Sequence, residues 1–199
     1  MPLHTQANLV LQTETRELGV PAGLQDRVIQ AYEGVVYMNF DRSLMSARGY
    51  GEYEYLPSSC LQRVYLAYRT SLSEGTEVFH NNVRERWNAG DPEIHQAMQQ
   101  WAAIAEDGKS SLLAGDQRAL SALINANFDL RARIYRISEG NQAMIDAARS
   151  VGASSKFAGS GGAVVGTYQD DDMYHELTKS LASVGAAVIR PVVAGGSEP

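Results

Sequence analysis

Apolar positions along this chain recur with two periods, and the switch between them lays out its elements. Residues 7 to 18 carry helical spacing, with Gly19 placed just past the helix end and Pro21 just beyond. Leu24, Val28, Ile29 and Tyr32 repeat that spacing over Leu24 to Glu33, and Gly34 closes the segment. The period then drops to two. Val35 to Phe40 is a β-branched and aromatic run, Tyr53 to Leu56 a shorter one, and Arg63 to Tyr68 alternates Val64, Leu66 and Tyr68. From Ser73 to Ser150 the helical period returns, with breaks expected at Gly90-Asp-Pro92, Gly115 and Gly140. Asp91 before Pro92 makes an N-cap and first-turn pair. A strand (Ser155 to Ala158), a glycine loop, a strand (Ala163 to Val165), a helix (Asp172 to Ser183) and a last strand (Ala187 to Val193) follow, before a frayed end at residues 195–199. The order α, α, β, β, β, several α, β, β, α, β predicts an α+β fold, not the strict alternation of a parallel α/β sheet.

Composition narrows the function classes. At 199 residues, with 44% hydrophobic and 20% charged residues, the chain reads as an ordinary globular protein able to bury a core. A net charge of -6 argues against a nucleic-acid surface, and there is no apolar run of membrane-spanning length. The start lacks a secretory pattern and Cys60 stands alone, so the expectation is a reducing, cytoplasmic setting with Cys60 as a small buried hydrophobe. His4, His80, His95 and His175 have no metal-ligand spacing, and Asp170-Asp-Asp172 precedes a helix that it caps, so no metal ligand is assigned.

The segment Gly152-Ala-Ser-Ser-Lys156-Phe-Ala-Gly159-Ser160-Gly161-Gly162-Ala-Val-Val-Gly166 concentrates the candidate chemistry. A loop with so little Cβ cover can take positive φ and aim successive N–H groups at phosphate oxygens. It is not a Walker loop, since no Lys-Ser or Lys-Thr follows, and the spacing of Gly159, Gly161 and Gly166 misses the dinucleotide fingerprint. A tight hairpin whose glycines serve only the turn is the other reading that spacing allows. A second motif, Glu17-Leu-Gly-Val-Pro-Ala-Gly23-Leu-Gln-Asp26-Arg27-Val, sets a carboxylate at the start of a helix, where the dipole favours it, beside a cation.

These two segments, with Val83-Arg-Glu-Arg-Trp-Asn-Ala-Gly-Asp91 and Leu123-Ile-Asn-Ala-Asn-Phe-Asp-Leu-Arg-Ala-Arg133 between them, resemble the GHMP small-molecule kinases over about residues 8 to 193. Within that superfamily the likeness is to glucuronokinase-like sugar-1-kinases. The resemblance implies the family's ferredoxin-like α/β sandwich as a C-terminal domain over residues 59–199, preceded by a remnant of the N-terminal domain over residues 1–58. It implies transfer of the γ-phosphoryl of ATP, with Mg²⁺, to a sugar hydroxyl. Asp26 would act as base or orient the acceptor, and Gly159, Ser160, Gly161 and Gly162 would lie beside the triphosphate, meeting its charge through backbone amides.

Two earlier family motifs, an N-terminal strand segment and a serine-rich loop around the ATP phosphates, have no match here. The expectation is therefore a kinase portion whose site is completed by a further segment or a second chain, with apolar helix faces exposed over residues 7 to 40. A sugar acid would need a cation, so Arg131, Asn127 and Lys156 are acceptor-side candidates, with Arg84, Arg86 and Arg133 behind them. Asp129–Arg133 also reads as an i, i+4 surface pair, and Lys156 as a strand-edge lysine. A non-catalytic remnant that binds a metabolite or partner is the competing function.

Overall fold

Aspartates placed before helical runs decide where several helices of the computed structural model begin. It describes residues 1–20, 22–70 and 83–192. Pro21, the start of the Ser73 to Ser150 run, the end of the last strand and the expected frayed end lie outside the described residues. The described residues fall in two units, one of Met1–Leu61 together with Val192 and the other of Gln62–Pro191.

In the first unit, α1 (Leu3–Gln12) runs into a π-helical turn (Thr13–Glu17) and packs on α2 (Leu24–Tyr32). The first helix thus starts four residues earlier than the spacing predicts. Strands β1 (Val35–Asn39) and β2 (Glu52–Leu56) pair antiparallel, with Val35 opposite Leu56 and Asn39 opposite Glu52. Between them lies α3 (Arg42–Arg48), which the periodicity misses because seven residues are too few to show it. Its signals are local ones: Asp41 Oδ1 accepts from Ser43 N at 2.8 Å, and Gly49 ends it in the left-handed region.

The second unit opens with β3 (Val64–Tyr68). Residues 83–88 form α4, followed by α5 (Pro92–Ala114), α6 (Gln117–Ile134) and α7 (Glu139–Arg149). Asp91 caps α5 through Glu93 N at 2.9 Å with Pro92 in the first turn, and Asp116 caps α6 through Ala119 N at 2.9 Å. The break expected at Gly140 falls instead at 135–138; Gly140 is accommodated in the first turn of α7. Then come β4 (Lys156–Phe157), β5 (Ala163–Thr167), α8 (Asp171–Ser183) and β6 (Ala187–Ile189). As expected of a cap, Asp170 Oδ1 accepts from Met173 N at 2.8 Å.

The four strands form one antiparallel sheet in the order β4-β5-β3-β6. Two helical crossovers, from β3 to β4 and from β5 to β6, give the ferredoxin-like sandwich that the resemblance implies. The pleat sends Phe157, Val164, Ala67 and Tyr65 to one face, against Phe128 of α6, Met144, Ile145 and Ala148 of α7, and Leu177 and Leu181 of α8. Each large side chain buried there contributes about 1.5–3 kcal/mol. Close packing reaches the backbone at Gly166, where an added Cβ would stand 1.7 Å from Ser154 O. Tyr65 donates to that same carbonyl at 2.9 Å, and burial pushes its phenol up to about 12.

Candidate functional site

Asp26 occupies the first turn of α2, behind Gly23 at the N-cap, where the helix dipole favours a carboxylate. Its side chain is 74% exposed, and Arg27 Nη1 lies 3.1 Å from Asp26 Oδ2. Arg27 is itself fixed from the π-helical turn: Glu14 takes Nη2 on Oε1 at 2.6 Å and Nε on Oε2. That two-point fork holds the Glu14 carboxyl below its usual range. Glu14 thus orients Arg27, and Arg27 orients the exposed Asp26.

The glycine loop joins β4 to β5, and its shape requires glycine at two places. Gly161 has φ +152° and Gly162 φ +73°, and a Cβ at Gly161 would meet Asn141 Nδ2 at 2.9 Å. Side chains from the helices hold its backbone. Gly162 N donates to Asn141 Oδ1 at 2.8 Å, and Asn141 Nδ2 donates to Ser138 Oγ at 3.0 Å. Arg131 donates through Nη1 to Gly159 O at 3.1 Å and through Nη2 to Ser160 O at 3.4 Å. Its guanidinium lies between the rings of Tyr135 and Phe157, 5.0 Å from each centroid. Arg131 Nε is buried without a hydrogen-bond partner. The Gly162 amide is therefore turned inward, whereas the sequence reading offers it to phosphate.

Lys156 leads into the loop, its Nζ donating to Phe157 O at 3.1 Å. Burial first, and then repulsion from Arg131, lower its affinity for the proton; burial also lowers that of Arg131. Neither cation is ion-paired with a carboxylate among the described residues, so a half-buried excess of positive charge borders the loop. Asn127 lies one turn before Arg131 on α6, and its carbonyl accepts from Trp101 Nε1 at 3.2 Å.

The remaining arginines are placed differently from the expectation. Asp129 pairs with Arg149 of α7 at 2.7 Å, not with Arg133, whose Nη2 reaches Gln100 Oε1 at 3.5 Å. Arg86 braces the start of α5 through Asp91 at 2.7 Å and Glu93 at 2.5 Å. Arg84 belongs to α4. Two residues to which the sequence reading gave no role hold the loop region. Asn141 is one; the other is Asn125, whose Oδ1 accepts from Ser155 N at 2.9 Å. A polar residue on the apolar face of α7 is the one local sign that could have flagged Asn141. Among the described residues no group of three or more His, Cys, Asp or Glu forms a metal cluster, and no helix is long and apolar enough to cross a membrane.

No family model matches this chain. Glucuronokinase 1 of Arabidopsis thaliana is 42% identical over 166 residues, which is 82% of this chain and 45% of that protein. Probable glucuronokinase 2 of the same plant is 37% identical over 194 residues, 96% of this chain and 52% of that protein. The chain thus spans about half the length of the curated relatives it matches. Among solved structures, L. major mevalonate kinase in complex with R-mevalonate superposes with a TM-score of 0.70 at 20% identity, over 94% of this chain and 60% of that one. In sequence this chain is similar to the glucuronokinases, and its fold is that of the GHMP small-molecule kinases.

Proposed function

We propose that this chain serves ATP-dependent phosphoryl transfer to a sugar hydroxyl, with a sugar acid such as glucuronate as acceptor. One observation carries the reading: a glycine loop held open by side chains is bordered by two half-buried cations, Arg131 and Lys156, that have no carboxylate partner among the described residues. Such a surface suits a multiply charged anion. ATP would bring the phosphoryl group. The Gly161 amide of the loop formed by Gly159, Ser160, Gly161 and Gly162 would meet it, with Lys156 and Arg131 lowering the cost of the charge that spreads over its oxygens. Mg²⁺ would arrive with the nucleotide, and no ligand for it is assigned to these residues.

In this reading Asp26, exposed and oriented by Arg27, accepts the proton of the acceptor hydroxyl or fixes its direction. Asn127 and Arg131 stand on the acceptor side. The relatives are about twice as long, and the proposal places the rest of the nucleotide site on the equivalent of their uncovered length, carried by a further segment or a second chain. The exposed apolar side chains Leu9, Val10, Leu18 and Val20 on the first unit support that reading. A cytoplasmic setting is part of it.

The test is ³¹P NMR of ATP consumption with glucuronate, on this chain alone and joined to the additional length of a plant glucuronokinase. The joined protein is expected to turn over, and Asp26→Asn in it to lose about 10²–10⁴ in kcat with ATP affinity kept. A joined protein that folds, binds ATP and leaves glucuronate untouched overturns the function. Near-normal turnover in Asp26→Asn removes Asp26 from it.

A further inference from the structure

Between the end of α6, the 135–138 turn and the glycine loop lies an open recess lined by Arg131, Tyr135, Arg136, Ser138, Asn141 and Ser160, among others, with no aspartate or glutamate in its walls. We propose that this recess is a carboxylate site, that Arg136 is its reading cation, and that Arg131 is a positioning residue for the loop instead of the reader. The inference rests on the sugar-acid reading above and adds to it the place where the acid group sits.

Both terminal nitrogens of Arg131 already donate to loop carbonyls, and its plane lies against two rings, so its guanidinium is committed to holding the loop backbone. Its Nε–H is buried and unpartnered. Asn141 spends Oδ1 on Gly162 N and one amide hydrogen on Ser138 Oγ. Ser138 Oγ thereby accepts once, and its own O–H is left to donate. Arg136 is exposed and forms no hydrogen bond or ion pair with the described residues. It stands just after α6 ends, where Tyr135 turns the backbone to an extended conformation.

The groups left over on these residues are donors: the guanidinium of Arg136, the hydroxyl of Ser138 and the Nε–H of Arg131. Two of these three groups are cationic and carry no acceptor, which favours an anion over a neutral sugar hydroxyl. A carboxylate is acceptor-only, planar and matched to a guanidinium. Glu139, the nearest acid in sequence, does not line the recess.

The experiment uses the 199-residue protein, ¹⁵N-labelled, with the backbone amides of the loop and the Arg Nε–Hε signals followed by NMR. Glucuronate, glucose and inorganic phosphate are titrated separately into wild type, Arg136→Gln and Ser138→Ala. Glucuronate is expected to move the Arg136 and Arg131 Nε–Hε signals together with Gly161, and glucose to leave them. Arg136→Gln is expected to weaken glucuronate binding about tenfold or more, and Ser138→Ala to weaken it less. Arg136 is exposed, so a well-dispersed spectrum of the variant confirms that its fold is kept. The proposal is overturned by wild-type signals that do not respond to glucuronate, by equal affinity in Arg136→Gln, or by glucose moving the same signals. Tighter binding of phosphate than of glucuronate at these signals also overturns it and makes the recess a phosphate site. The two readings fail apart. Glucuronate binding in the recess without turnover in the joined protein removes the kinase and keeps the site. Turnover of glucuronate that is indifferent to Arg136→Gln removes the site and keeps the kinase.

Discussion

Asp26 and the glycine loop belong to units built on different principles. Around Asp26 order comes from charge: Glu14 grips Arg27, Arg27 faces Asp26, and among the described residues of that unit the buried hydrophobic side chains are Ala7, Val28 and Leu56. Around the loop order comes from packing and inward hydrogen bonds. Phe128, Met144, Ile145, Phe157, Val164, Leu177 and Leu181 are buried beneath it, and Asn141 and Arg131 tie its backbone to the helices. The contrast teaches where rigidity is spent. Under the proposed function, a loop that presents amides at fixed places needs a scaffold that screening cannot loosen, whereas a carboxylate that takes and releases a proton can stay at the surface.

The contrast can be broken from the packed side first. Gly166→Ala forces a Cβ to 1.7 Å from Ser154 O and 2.8 Å from Tyr65 Cε1, in a strand with no room to shift. The expected loss is about 4 kcal/mol or more, read as collapse of NMR dispersion across Gln62–Pro191. A variant that unfolds at the wild-type denaturant midpoint would show that the sheet is looser than its packing implies.

Asn141→Ala comes next. It strands the buried Gly162 N–H, at about 1–3 kcal/mol. Urea unfolding should show the loss, and the Gly162 amide should exchange faster with solvent while the α8 amides hold. Unchanged protection of Gly162 would mean that the loop keeps its shape without the side chain.

The smallest effect lies on the charged side. The folded-state pKa of Glu14 is lowered from 4.5 by Arg27, so the stability it contributes is present above that value and is lost as pH falls through the folded-state value. In an acid titration the Arg27 Nε–Hε signal should move with Glu14 below pH 4.5, while the Asn141 side-chain amide, which contacts no carboxylate, should stay in place. Joint movement of the two would erase the distinction between the units.

What the sequence made legible follows the same division. The strands β3 and β5, the caps at Asp91 and Asp170, and the glycine loop are local patterns, written within a few residues of where they act. Helix α3 was legible too, in Asp41 and Gly49, but only to a reading that starts from caps, since its length hides the period. The Arg149 partner of Asp129 and the Asn141 partner of Gly162 were not legible, because residues 20 and 21 positions apart meet only once α6, α7 and the sheet are packed. Asp26 became a candidate because Arg27, its neighbour in sequence, is also its neighbour in space. Arg131 became a candidate for its charge, and the geometry shows that charge turned toward the backbone.

The order of those partners along the chain has a consequence for biosynthesis. Asn125, Arg131 and Asn141 all precede Gly159. A ribosome therefore releases these side chains before it releases the loop that they hold. The mould is made first, and the glycines are threaded into it as they emerge.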